Sequence, residues 1–130
     1  MILVDTSALA KLLVEEAESS SLRDALAASS NAGEEFAIST LAMTELRRLI
    51  VRLDIDSSLI EPVIRPFRVL RVTEGILQLA GRFPYRNLGT LDAVHLATAL
   101  TAEASAVATY DRRLAEAAEA EGLGVLRPEA

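Results

Sequence analysis

Residues 2–13 read ILVDTSALAKLL, and this stretch decides the fold. Ile2, Leu3 and Val4 form a short apolar run, as expected of a strand buried on both faces of a parallel sheet. Asp5, Thr6 and Ser7 follow at once, and then Leu9, Leu12 and Leu13 recur at helical spacing. A strand that passes straight into a helix is the first half of a βαβ unit. Asp5, at the joint, has two readings. It can cap the helix by accepting hydrogen bonds from the free N–H groups of the first turn. It can also stand at the carboxyl end of a parallel strand, where open α/β sheets bind their ligands.

The rest of the chain repeats this alternation. FAIS (36–39), RVLRV (68–72), AVAT (106–109) and GVLR (124–127) read as four further strands. Helical periodicity covers 7–14, 18–29, 40–53, 73–82, 90–104 and 111–121, and a shorter helical piece ends at Pro66. Thr90 is expected to cap the helix that it opens. Short apolar strands separated by helices predict the α/β class. The expected architecture is a three-layer α/β/α sandwich around a central, mostly parallel sheet of about five strands. With 130 residues and no long linker or repeat, the chain reads as one domain over 1–130.

Composition narrows the function. Hydrophobic residues make up 51%, enough for a core and too many for a disordered chain. The absence of cysteine excludes disulfides and thiolate metal sites and suits a reducing cytoplasm. No basic leader precedes the first apolar run and Asp5 interrupts it, so no cleaved leader is expected. No run of 18 apolar residues occurs, so no membrane span is expected either. A net charge of −6 argues against a generic nucleic-acid binder, which is usually basic. Yet Lys11 is the only lysine, and the arginines cluster at Arg47, Arg48 and Arg52, at Arg65, Arg68 and Arg71, and at Arg112 and Arg113. Arginine favours bidentate phosphate contacts, although such clusters also serve as solvated faces. Composition alone leaves a nucleic-acid substrate open.

The acids are more informative. Asp5 follows the first strand, and Asp111 follows the fourth. Glu45 lies early in the helix after the second strand, and Asp92 in the first turn of the helix that leads into the fourth. All four are expected at one edge of the sheet, where parallel folds place active sites. They are separated by 40, 47 and 19 residues, so only the fold can bring them together. Singly, each has a plain structural role: Asp92 suits a helix dipole, Asp111 an N-cap, and Glu45 a pair with Arg48. Glu45 also borders the apolar stripe between Leu41 and Leu49, which makes it half buried. Together the four pose an electrostatic problem, because two carboxylates 4 Å apart repel by about 4 kcal/mol at an effective dielectric near 20. A hard divalent cation such as Mg²⁺ relieves it and keeps water for a phosphate substrate.

Two other acid-lined α/β designs fit less well. A phosphoacceptor receiver needs a second acid beside Asp5 and a lysine after the last strands, whereas Thr6 and Lys11 stand here. A dehalogenase-type phosphatase needs an aspartate where Ser7 stands. His95 is the only histidine, so the paired-histidine chemistry that makes a cyclic phosphate through the 2′-OH is excluded. In AVHLATAL it reads as a packed, hydrogen-bonded helix residue.

ILVDTSAL at the start, Glu45 within TLAMTELRRL, LDAVHLATAL and ATYDRRL together resemble a PIN domain, more narrowly the VapC-type ribonuclease toxins of bacterial toxin–antitoxin pairs. The resemblance runs from Met1 to about Leu126. It implies that Asp5, Glu45, Asp92 and Asp111 form a Mg²⁺ or Mn²⁺ site that cleaves RNA to leave a 5′-phosphate and a 3′-hydroxyl. Asp5 and Asp92 would touch the metal most directly, with Thr6, Ser7 and Thr109 in support. It further implies a cognate antitoxin, a homodimer and a cytoplasmic location. Arg112 and Arg113, directly after Asp111, are the expected substrate-phosphate contacts. A non-catalytic acidic pocket that receives a basic partner segment is the alternative.

Overall fold

The computed structural model describes residues 1–130, and strand and helix alternate almost throughout. The strands are β1 (Ile2–Val4), β2 (Phe36–Ser39), β3 (Arg68–Leu70), β4 (Ala106–Ala108) and β5 (Gly124–Leu126). They form one sheet in the order β3-β2-β1-β4-β5, and every neighbouring pair is parallel. The sheet is thus wholly parallel, because each connection carries at least one helix back to the starting edge.

The helices are α1 (Thr6–Leu13), α2 (Ser19–Asn31), α3 (Thr40–Leu53), α4 (Ile60–Ile64), α5 (Glu74–Ala80), α6 (Thr90–Thr101) and α7 (Arg112–Ala120). A 3-10 turn, Ser57–Leu59, precedes α4. No helix is long and apolar enough to cross a membrane.

Two cores follow from the two-residue period of the strands. Ile2, Val4 and Ile38 pack with Leu9, Leu22, Leu46 and Ile60 from α1, α2, α3 and α4. Leu3, Ala37 and Val107 pack on the opposite side with Leu96 from α6 and Leu114 from α7. The central strands are buried on both faces, as the continuous apolar run at 2–4 requires. Leu3 and Val4 expose no surface, and truncating either to alanine would cost on the order of 2–4 kcal/mol.

One expected cap differs. Gly89, not Thr90, is the extended N-cap residue of α6, and it offers no side-chain acceptor. Thr90 is already the first helical residue. At the end of α7, Gly122 takes φ 84°, a left-handed conformation that lets the chain turn into β5.

The topology positions the site. From β1 the chain builds outward through β2 to β3, and then returns to the other side of β1 for β4 and β5. The strand order therefore reverses between β1 and β4. At such a point the loops leaving the carboxyl ends diverge and open a crevice.

Candidate metal centre

Asp5 leaves β1 at that crevice and does both things its position allows. It is the N-cap of α1, with Oδ1 accepting from the Ala8 N–H at 3.1 Å. The Ser7 hydroxyl donates to the same oxygen at 2.7 Å, and the Thr109 hydroxyl donates to Oδ2 at 2.7 Å. Asp5 is 1% exposed. Burial raises its pKa above the ordinary carboxylate value, and the three hydrogen bonds work in the opposite direction.

The same hydroxyls tie the neighbouring strand to it. Ser7 Oγ accepts from the Tyr110 N–H at 2.8 Å, and Thr109 Oγ1 accepts from the Asp111 N–H at 2.9 Å. Asp111 is the N-cap of α7, with Oδ1 accepting from the Arg113 and Leu114 N–H groups at 2.9 and 3.0 Å. Two strand-to-helix turns are thereby locked side by side, with a carboxylate on each.

Glu45 enters from α3. Its Oε1 accepts from the Thr6 hydroxyl at 2.8 Å and lies 2.7 Å from His95 Nε2. His95 is 1% exposed, and its Nδ1 lies 3.2 Å from Ser39 Oγ. Ser39 Oγ in turn accepts from the Ala42 N–H as the N-cap of α3. With the Ser39 hydroxyl donating to Nδ1 and the Nε2–H donating to Glu45 Oε1, every group in this relay is satisfied. The Glu45 side chain is 24% exposed, which matches its half-buried place beside the apolar stripe. Burial pushes its pKa up, but His95 and Thr6 outweigh that, and the net direction is downward.

Asp92, in the first turn of α6, is the unsupported member. Burial raises its pKa first, then the charges of Asp111, Asp5 and Glu45, to about 6. His95 offsets only part of this. Asp92 thus lies within the field of the other three carboxylates. The four acids line one cleft of about 590 Å³ with Thr6, Ser7 and the α3 face.

No three of these acids stand together as a ready-made coordination shell. Their donor chemistry nevertheless fits a hard divalent cation. Protein hydrogen bonds engage neither Glu45 Oε2 nor Asp111 Oδ2, and Asp92 gains no hydrogen bond that would steady its charge. Oxygen donors of this kind suit Mg²⁺ or Mn²⁺.

The structure separates the expected substrate contacts from this cleft. Arg112 turns back onto α7 and pairs with Glu116 at 3.3 Å, and Arg113 lines a neighbouring depression with Tyr85 and Arg86. Neither lines the acidic cleft, which instead carries Arg48 and Arg52. His95 is packed and hydrogen-bonded as its helical context indicates. Its pairing with Glu45 was missed, although one turn of α6 separates it from Asp92.

The family model described as the PIN domain matches residues 2–120. Ribonuclease VapC47 of Mycobacterium tuberculosis is 40% identical over 118 residues, covering 88% of this chain and 87% of that protein. Among solved structures, VapC20 of Mycobacterium tuberculosis, a sarcin–ricin-loop-cleaving toxin, superimposes with a TM-score of 0.75 at 20% identity. It covers 98% of this chain and 100% of that one. A toxin–antitoxin complex from Klebsiella pneumoniae gives a TM-score of 0.72 at 21% identity, over 97% of this chain and 96% of that one. Family match, sequence identity and superposition agree, and the chain belongs to the PIN-domain family in its VapC-type branch.

Proposed function

We propose that this chain is the endoribonuclease toxin of a toxin–antitoxin pair, hydrolysing RNA phosphodiester bonds at the four-acid cleft with Mg²⁺ or Mn²⁺. The observation that supports it best is the convergence of Asp5, Glu45, Asp92 and Asp111, from four separate elements, on the crevice where the strand order reverses. The ribonuclease named VapC47 and the toxin VapC20 support the activity, and the Klebsiella pneumoniae complex supports an antitoxin partner. Residues 1–130 work as one unit around one sheet, paired with a second copy and acting in the cytoplasm.

In this reading Asp5 and Asp92 would hold the cation most directly, with Glu45 and Asp111 beside them. Such a cation would supply a water made nucleophilic near neutral pH and positive charge against the leaving oxygen. The chain does the rest by position. Ser7 and Thr109 fix both oxygens of Asp5. Thr6 and His95 fix one oxygen of Glu45 and leave the other without a protein partner. His95, buried with both ring nitrogens engaged, acts on RNA only through Glu45.

Partner-free protein and a labelled single-stranded RNA test this. Cleavage is expected in Mg²⁺ or Mn²⁺, none in EDTA, and none by a folded Asp5→Ala variant. Undiminished cleavage in EDTA would overturn the mechanism.

A further inference from the structure

The α3 wall of the cleft carries two cations that no carboxylate of the protein engages. Arg48 and Arg52 line the same cleft as the four acids, and both are exposed. Neither takes part in any ion pair, whereas Lys11, Arg23, Arg65 and Arg112 each have an acidic partner. Arg48 sits three residues after Glu45, a spacing at which helix pairs form. Glu45 turns instead to Thr6 and His95. The guanidinium is left free at the rim of an acidic site.

The arrangement is directional. Glu45, Arg48, Leu49 and Arg52 lie on one face of α3 and all line the cleft. The two arginines are four residues apart, roughly 6 Å along the helix axis, a span comparable to that between neighbouring phosphates of a single strand. Arg47, equally exposed and adjacent in sequence, does not line the cleft. In a chain of net charge −6, a polyanion is repelled in general and needs such a local foothold.

We propose that Arg48 and Arg52 form a two-step phosphate track that holds the RNA backbone on the α3 side of the acidic centre. The track rests on the nuclease reading of that centre. Arginine is suited to it, since its planar fork meets phosphate oxygens bidentately.

The decisive experiment reads binding, so that it stands apart from cutting. A fluorescein-labelled single-stranded oligoribonucleotide is titrated by anisotropy in Mg²⁺ over a range of NaCl concentrations. The Asp92→Asn background is used to prevent turnover. Adding Arg48→Ala and Arg52→Ala together is expected to flatten the slope of log Kd against log salt by about 1.4, or about 0.7 per contact. Extrapolated from 1 M salt, that is a loss of about 25-fold at 0.1 M. Arg48→Lys with Arg52→Lys should keep the slope, and Arg47→Ala should leave it unchanged. An unchanged slope in the double alanine variant, or an equal loss from Arg47→Ala, would overturn the track. If the wild type fails to cut RNA while the slope change appears, the nuclease reading falls and the track stands. RNA cut normally with an unchanged slope is the reverse result.

Discussion

Replacing Asp92 by asparagine removes one of the four facing charges while keeping the shape of the side chain. The carboxyl pKa of Asp92 is raised from 3.8 to about 6, first by burial and then by Asp111, Asp5 and Glu45. At about 1.36 kcal/mol per pKa unit, the ionised group costs the folded state at most about 3 kcal/mol. Asp92 is only partly buried, so solvent screening reduces this to about 1–2 kcal/mol. Against that gain, the variant loses an acid in the first turn of α6, worth about 0.3–1 kcal/mol through the helix dipole. Repulsion outweighs the dipole, and the net stabilisation expected is about 1 kcal/mol, or about 3–5 °C in Tm for a chain of this size.

The pH dependence separates this effect from a simple change in packing. Because the folded pKa lies above the unfolded one, the folded state binds the extra proton between pH 3.8 and about 6. Wild-type stability from this group therefore falls as pH climbs through that window. Below it both states are protonated and the cost vanishes; above it the full cost remains. Urea melts in EDTA at low salt should show Asp92→Asn more stable at pH 7.5 and equal to wild type near pH 3.5. Adding Mg²⁺ at about ten times its Kd stabilises the wild type by about 1.4 kcal/mol and should close or reverse the gap. A variant no more stable than wild type at pH 7.5 in EDTA, or a difference that persists at pH 3.5, would refute the repulsion argument.

Two further outcomes follow from the hydrogen bonds. Thr109→Val keeps the branched shape but removes the donor to Asp5 Oδ2 and the acceptor for the Asp111 N–H. It should cost about 1–3 kcal/mol in chemical melts and raise the Mg²⁺ concentration needed for half-maximal cutting. His95→Ala should lower kcat by at least about tenfold through Glu45, with the KM for RNA unchanged and partial rescue in His95→Gln. A KM effect alone would place His95 against the substrate instead.

How far the site could be read beforehand depended on what kind of neighbour was involved. The strands at 2–4 and 106–108 could be read because burial on both faces demands an unbroken apolar run. Asp5 and Asp111 could then be placed, because they follow those runs directly. The pairing of Glu45 with His95 could not, since the two residues are 50 positions apart and meet only when α3 and α6 approach the same crevice. Ser39 was visible as the end of a strand but not as the third member of that relay.

The arginines show the limit more sharply, because proximity to an acid in sequence does not decide which guanidinium groups line the cleft. Arg112 and Arg113 follow Asp111 immediately, which made them the natural phosphate contacts. Asp111, however, is the N-cap of α7, so the residues after it enter a helix in which successive side chains diverge. Arg112 consequently finds Glu116 one turn on, and Arg113 faces the depression beside Tyr85. Arg48 and Arg52 are both farther from Glu45 in sequence than Arg113 is from Asp111, yet they share its helical phase and line the cleft with it. The signal was present in TELRRLIVR: counting three, four and seven residues from Glu45 gives Arg48, Leu49 and Arg52, the row that a helix presents on one face. Helical phase, once α3 is placed at the crevice, decides which guanidinium groups line the acidic cleft.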